Sequence, residues 1–441
     1  MQNRKTPAHL LQKKTQNHET PDRRQITLAR VGDIQTSVFI QRKFAEHYKR
    51  NLGSIQPPSE LGKRELAFVL FREKTMVRHR GFTNADNFRR FLLETQPSDV
   101  YYSSAYFERP EAEMDAKGWL GADLIFDIDA DHIPTQCEKQ HDMWTCKNCG
   151  ASGRGAKPEK CAKCGGQKFT ELAWLCDTCL ESAKKETIKL IDVLERDFGF
   201  SDKELKLAFS GHRGYHVHVE DQAVRTLDSM ARKEIVDYMA GIGVDLGVYN
   251  LEKGATPSLD GSGWNARIAK GTYEFLLSAT KEQLENAGLN KAMAARVAEQ
   301  KHTILETWKD KGPWMLKGIG PDSWKKILQQ GIAQQSVKID TVVTTDIHRL
   351  IRLANTLHGE TGLKKVEFAA SEIERFDPLK SAIAFTDGTV QVEVGETPEF
   401  RLGEAVYGPF RDQKVKLPAA AAMFLLCKGV AKPLEETVVV Q

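Results

Sequence analysis

Residues 123–132 read DLIFDIDADH, and this stretch limits the folds open to the chain more than any other. Successive side chains of a strand point to opposite faces, so Asp127 and Asp129 share one face while Phe126 and Ile128 share the other. The apolar face demands a covered sheet. Two carboxylates that close repel each other unless Arg, Lys or a divalent ion stands between them. Read alone, the same stretch also suits a solvated edge strand near a turn, so the rest of the chain has to supply the counter-charge.

Cysteine placement is the second constraint. Seven of the eight cysteines fall between Cys137 and Cys179, and three pairs are spaced CxxC. Disulfide frameworks belong mostly to small secreted domains, whereas this chain has 441 residues and a polar, basic N-terminal stretch without a signal-peptide core. CxxC spacing lets two thiolates hold one tetrahedral zinc from a tight turn. Cys146/Cys149 and Cys161/Cys164 stand eleven residues apart, each pair followed by glycine, the pattern of a zinc ribbon. Cys176 and Cys179 lack that glycine and run into a helix. Their partners are expected before the ribbon, at Cys137 and His141, giving two zinc sites with the ribbon inserted inside the other. Other pairings of the same ligands remain open.

No run of about 18 apolar residues occurs, so no membrane helix is expected. A net charge of +3 says little about nucleic acid, because a basic groove is compatible with a balanced surface. Periodicity predicts a helix over 36–52, two short strands in RELAFVLFREKTMVRHRGF, a capped helix in NADNFRRFLLETQ and a helix after Cys179. LKLAFSGHRGYHVHVED reads as strand, glycine turn, strand. Residues 225–335 are mostly helical, and LKGIGPDSWKKIL within them fits either a helix–hairpin–helix turn or a glycine stop followed by proline. VKIDTVVTTDIHRLIRLANTLHGETG reads as a strand and then a helix ending at Gly359. The last 75 residues alternate like antiparallel strands and close with a short apolar helix around 418–428.

The counter-charge comes from two of these segments. In SGHRGYHVHV, small residues let a phosphate approach the backbone while Ser210, Arg213 and His216 provide donors; His218 is read as packing. IDTVVTTDIHRLIRLANTLHG offers Asp340 on a strand and Asp346 in a first helical turn, where the macrodipole alone explains an acid. Arg349 and Arg352 follow, three apart, with His358 at the helix end. Acids for metal, with Arg and His for a triphosphate, are the inventory of two-metal nucleotidyl transfer.

FDID, SGHRGYHVHV and VTTDIHRLIRLANTLHG, in this order, resemble the catalytic small subunit of archaeal and eukaryotic DNA primases, and AVYGPFRDQKVKLPAAAAMFLLCKG is similar to the archaeal members. The likeness runs from about residue 36 to 430. It implies an α+β (mixed α/β) catalytic core with a helical lobe and zinc-binding insertions. It implies Asp127, Asp129 and Asp340 as the catalytic acids, holding Mg²⁺ or Mn²⁺. Nucleotide contacts would fall on Arg78, Ser210, Arg213, His216, Arg352 and His358. The family's zinc knuckle would be Cys137, His141, Cys176 and Cys179, and the added ribbon Cys146, Cys149, Cys161 and Cys164 makes a second Zn²⁺ site.

The expected layout is a flexible basic tail over 1–30 and a catalytic core in three parts, 31–132, 181–224 and 336–441. A zinc-binding insertion fills 133–180, with the ribbon at 144–166, and the helical lobe fills 225–335. The function implied is de novo primer synthesis on single-stranded DNA from nucleoside triphosphates during replication. The enzyme would be cytoplasmic and work with a primase large subunit. The rivals are a primase–polymerase for gap filling or end joining, and a non-catalytic zinc-ribbon nucleic-acid-binding protein. One departure from the family stands out: Glu360 sits where many relatives carry Lys, two residues after the histidine. Lys364 or Lys365 is the candidate replacement. The ribbon's Lys147, Arg154, Lys157, Lys160 and Lys163 suit a grip on template DNA or a partner, and a loop stiffener equally well.

Overall fold

A computed structural model describes residues 23–71, 74–133, 135, 137, 141–249, 259–308 and 318–434. Strands are numbered β1 to β18 in chain order. The acid strand β6 (Leu124–Asp129) buries Leu124, Phe126 and Ile128 on one face and leaves Asp127 and Asp129 half-buried on the other, beside the buried Ile125. It pairs antiparallel with β11 (Gly214–Val219), which pairs with β10 (Leu205–Phe209), and β10 pairs with β13 (Val366–Ala369). The order is β13-β10-β11-β6, so the acids ride an edge strand. A Cβ on Gly214 would lie 2.3 Å from the Ile128 carbonyl oxygen, so β11 reaches β6 at this level only with glycine there.

Helix Asp177–Arg196 buries Leu180, Ala183, Leu190, Ile191 and Leu194, and it contacts β11 and β6. A second sheet, ordered β12-β3-β1-β2, is made of β1 (Leu66–Val69), β2 (Met76–Arg80), β3 (Asp99–Ser103) and β12 (Leu350–Arg352). Asn84 caps the helix Ala85–Thr95, its side chain accepting from the Asn87 amide at 2.9 Å. The long helix Arg23–Asn51 inserts Ile40, Phe44 and Tyr48, spaced by four, into the same core. It begins earlier than periodicity indicated: residues 23–30, expected as flexible tail, are helical, because no proline interrupts the run from Arg23 to Asn51. The rest of the expected tail, 1–22, lies outside the described residues.

Short hairpins β4 (Ala105–Phe107) with β5 (Trp119–Ala122) and β15 (Phe400–Leu402) with β16 (Ala405–Tyr407) edge the core. The C-terminal part forms the expected antiparallel sheet from β14 (Thr389–Val394), β17 (Gln413–Pro418) and β18 (Ala431–Pro433), packed under the apolar helix Ala419–Cys427. One continuous hydrophobic core runs from Ile40 to Ala431, so helix Arg23–Asn51 packs against β18. The helical lobe has cores of its own, one around Leu284, Val297, Ile304 and Ile327 and one around Leu246, Trp264 and Leu328. Val236 and Met239 of helix Ser229–Ala240 pack into the main core, while Tyr238 of the same helix also packs against the Leu246–Trp264 cluster. Gly320 and Pro321 open helix Pro321–Gln335 as N-cap and first residue.

The helix expected after Thr345 does not form. Helix Thr341–Thr345 stops after five residues, and Leu350–Arg352 instead pairs with β3. Tertiary pairing overrides the helical spacing here: β3 offers Leu350, Ile351 and Arg352 a free ladder, and Ile351 enters the core. Among the described residues no helix is long and apolar enough to cross a membrane.

Candidate active site

Three aspartates meet at the free edge of β6. The Asp340 amide donates to the Asp127 carbonyl oxygen at 2.9 Å, docking the 340 segment beside the acid strand. Asp340, expected on a strand, is instead the N-cap of helix Thr341–Thr345. Its Oδ1 accepts from the amides of Val342 (2.9 Å) and Val343 (3.4 Å). The cap holds the carboxyl group still next to Asp127. Burial and the charges of Asp129 and Asp340 push the Asp127 carboxyl up to about 7, against the pull of Arg349 and Lys365. Carboxylate oxygens are hard donors of the kind a divalent cation takes, while among the described residues it is the two cysteine groups whose ligand atoms lie within 4.8 Å of one another.

The remaining polar groups face the acids across a cleft of about 170 Å³. His216 stands directly across the ladder from Asp127, with Nε2 3.5 Å from Oδ1. Ser210 Oγ accepts from the amides of His212 (3.2 Å) and Gly214 (3.3 Å), which leaves its own proton to donate. His358 Nδ1 accepts from the Glu360 amide at 3.2 Å, so its ring proton sits on Nε2; burial holds the imidazole neutral. Arg352 is anchored on three sides, by the Asp99 carboxylate, the Leu357 carbonyl (3.0 Å) and the Tyr101 hydroxyl (3.0 Å). Asp99 also accepts from the Gly359 amide at 3.0 Å, tying the histidine loop to the arginine.

Asp127, Asp129, Asp340, Ser210, His216, Arg352 and His358 are thus brought together from four separate stretches of chain. Two expected nucleotide contacts are not. Arg78 lies on β2, at the far edge of its sheet from Arg352, and forks onto Glu65 (3.0 and 3.4 Å). Arg213, 1% exposed, bridges Asp131 (3.0 Å) and Asp142 (2.8 Å). Those two carboxylates hold Arg213 away, and His212 of the same turn lines the cleft instead. Lys365, a candidate substitute for the missing lysine, is fully buried and bonds the Arg352 carbonyl at 2.9 Å. Sequence reasoning missed Asp99, Tyr101 and His212. The tight SGHRG turn held a signal for His212 alone.

Both cysteine groups close as paired above. Cys137, His141, Cys176 and Cys179 form one tetrad and Cys146, Cys149, Cys161 and Cys164 the other, with the ligand atoms of each within 4.8 Å of one another. Sulfur–sulfur separations of 3.3–3.6 Å lie near the ~3.8 Å edge of a tetrahedron with zinc–sulfur bonds of about 2.3 Å. In the ribbon, the amides of Gly150 and Gly165 turn back onto the Cys146 and Cys161 carbonyls (2.9 and 2.8 Å), and β7 (Met143–Cys146) pairs with β8 (Ser152–Arg154) and β9 (Phe169–Leu172). In the knuckle, His141 Nε2 faces Cys179 at 3.5 Å while Nδ1 bonds Asp142 at 2.7 Å, the carboxylate–histidine pairing that orients a ligand ring. Asp142 also holds Arg213, and Arg213 holds Asp131, two residues past Asp129. The knuckle therefore braces the end of the acid strand.

The sequence model of the DNA primase small subunit family matches residues 170–370. Over 426 residues the chain is 33% identical to the DNA primase small subunit PriS of Methanococcoides burtonii, covering 91% of this chain and 99% of that protein. It is 35% identical over 400 residues to the PriS of Archaeoglobus fulgidus, covering 90% and 98%. To the PriS of Cenarchaeum symbiosum it is 31% identical over 396 residues, covering 89% and 96%. The chain belongs to the DNA primase small subunit family. With it the chain joins the DNA-directed nucleotidyltransferases of DNA replication, and the mixed α+β fold with cysteine-bound insertions agrees with a primase catalytic core. In this primase subunit, polar side chains from β6, the β10–β11 turn, β12 and the His358 loop all converge on one cleft.

Proposed function

We propose that this primase joins nucleoside triphosphates on a single-stranded DNA template at the cleft between Asp127 and His358, starting without a primer. The observation that supports it best is the approach of Asp340 to the acid strand, across more than two hundred intervening residues. Asp127, Asp129 and Asp340 would hold Mg²⁺ or Mn²⁺, whose charge lowers the pKa of the attacking 3′-hydroxyl and steadies the departing pyrophosphate. Arg352 neutralises the triphosphate, the His358 Nε2–H and Ser210 hydroxyl donate to its oxygens, and Asp99 keeps Arg352 aimed. Partnership with a large subunit and a cytoplasmic location belong to the same reading. A gap-filling role is told apart by whether synthesis starts on a template that has no primer.

Two results are expected here. Asp99→Asn should raise KM for the incoming nucleotide roughly tenfold, what losing a charged hydrogen bond of ~1.5 kcal/mol implies. Steady-state kinetics beside a thermal melt check it, and an unchanged KM removes Asp99 from the site. Cys146→Ser should lower zinc content by one equivalent while primer synthesis continues, read by metal analysis and a run-off assay. Simultaneous loss of both equivalents would show that the two tetrads are not independent.

A further inference from the structure

Glu360 stands two residues after His358, where the family resemblance implies a lysine, and neither Lys364 nor Lys365 lines the cleft. The structure sets another cation directly behind the cleft's lining residue His212, from a distant part of the chain. Lys428 follows the helix Ala419–Cys427 and sends Nζ to His212 Nε2 (3.0 Å) and to the Ala173 carbonyl (2.9 Å). Among the described residues no carboxylate lies within salt-bridge distance of it. The ammonium can only donate, so His212 accepts through Nε2 and stays a neutral ring. His212 lines the cleft, stacked on His358 with ring centroids 5.0 Å apart. On its exposed side the Glu360 carboxylate approaches the same Nε2, at 3.9 Å.

We infer that the Lys428 ammonium, steadied by His212 Nε2, forms the seat for the terminal phosphate of the nucleotide, and that the Glu360 carboxylate occupies its approach until a triphosphate displaces it. The inference rests on the triphosphate lying in this cleft, as proposed above. A helix C-terminus and one carbonyl already favour an ammonium at Lys428. They do not complete its environment, because burial still pulls it down to about 8. Glu360, Asp142 and Asp131 act on it only from beyond salt-bridge distance, and a phosphate would supply an anion in direct contact. Glu360 is 75% exposed, so it swings away without disturbing the core. Its removal leaves the seat more positive. This chain would then carry the phosphate-end cation on the C-terminal helix, with a carboxylate guarding it that selects for ligands of high negative charge.

The test is primer synthesis and competitive inhibition by inorganic triphosphate, measured on the full chain. Lys428→Met should raise KM for nucleoside triphosphates about tenfold with kcat little changed, and weaken inorganic triphosphate to match. Nucleoside monophosphate binding should hardly move, and Lys428→Arg should restore much of the loss. Glu360→Gln should lower KM roughly threefold, since a single exposed charge near the site is worth little more. Equal weakening of mono-, di- and triphosphates by Lys428→Met would mark a merely structural lysine and overturn the seat. So would an unchanged KM in both variants. If Lys428→Met does not fold, Glu360→Gln decides alone: tighter triphosphate binding supports the seat, no change overturns it. A wild-type protein inactive on every template would instead overturn the primase reading of the cleft, a result separate from these.

Discussion

Asp127→Asn abolishes primer synthesis, by about three orders of magnitude or more, if the acids hold the reacting groups as proposed. The same substitution is expected to stabilise the metal-free protein, a pairing of effects that few explanations share. Asp127 has the ordinary carboxyl value of 3.8 when unfolded and about 7 when folded. Between those values the folded state binds the extra proton, so stability conferred by the protonated form is present at low pH and is lost as pH rises toward 7. At neutral pH and above, an ionised Asp127 beside Asp129 and Asp340 costs stability, on the order of 2–4 kcal/mol. Asparagine removes the like charge and keeps the shape. Run-off synthesis, a DNA-binding isotherm and melting curves across pH 5–8 in chelator are the measurements. Template binding should survive, since the acids themselves repel phosphate. A variant that still extends primers at the wild-type rate would end the proposal, and one that melts lower than wild type above pH 7 would contradict the crowding of charge.

Cys179→Ser carries the second large effect, on folding rather than chemistry. Cys179 is fully buried in the first turn of helix Asp177–Arg196, and its thiol lies 3.3 Å from Cys137, 3.5 Å from His141 and 3.9 Å from Arg213. Structural zinc sites contribute on the order of 10 kcal/mol of apparent binding energy that doubles as folding energy. Losing the knuckle frees Asp142 and Arg213, and with them the support of Asp131 and the end of β6. The variant should lose one zinc, melt far below wild type, and synthesise little or no primer even where it stays folded. Cys146→Ser, whose thiol belongs to the ribbon, should do none of this beyond losing its own zinc. Identical melting of the two variants would mean that the knuckle does not brace the acid strand.

Much of this arrangement was legible in the chain itself, and the reason differs by element. The acid strand and the β10–β11 turn were readable because period-two alternation and a glycine turn are local properties. The cysteine pairs were readable because ligand spacing is. The segment after Thr345 misled, since Leu350, Ile351 and Ala354 fit a helix as well as a buried strand over so short a run. Only β3, more than two hundred residues earlier, decides the matter by offering a free edge. Asp99 gave no warning at all: a lone acid at a strand start looks solvated until Arg352 and Gly359 are seen to close on it.

By itself the amino-acid order settled which chemistry was on hand: carboxylates paired on one strand face, thiols at metal spacing, and donors beside a glycine turn. Covalent neighbours set those patterns, so no fold is needed to see them. Which residues point at one another was left to the tertiary structure. It drew Asp340 to Asp127, turned Arg213 inward to the knuckle, and set Lys428 behind His212. Each of these joins parts of the chain through a shared core, and burial in that core gives a charge its strength while leaving no mark on the local sequence.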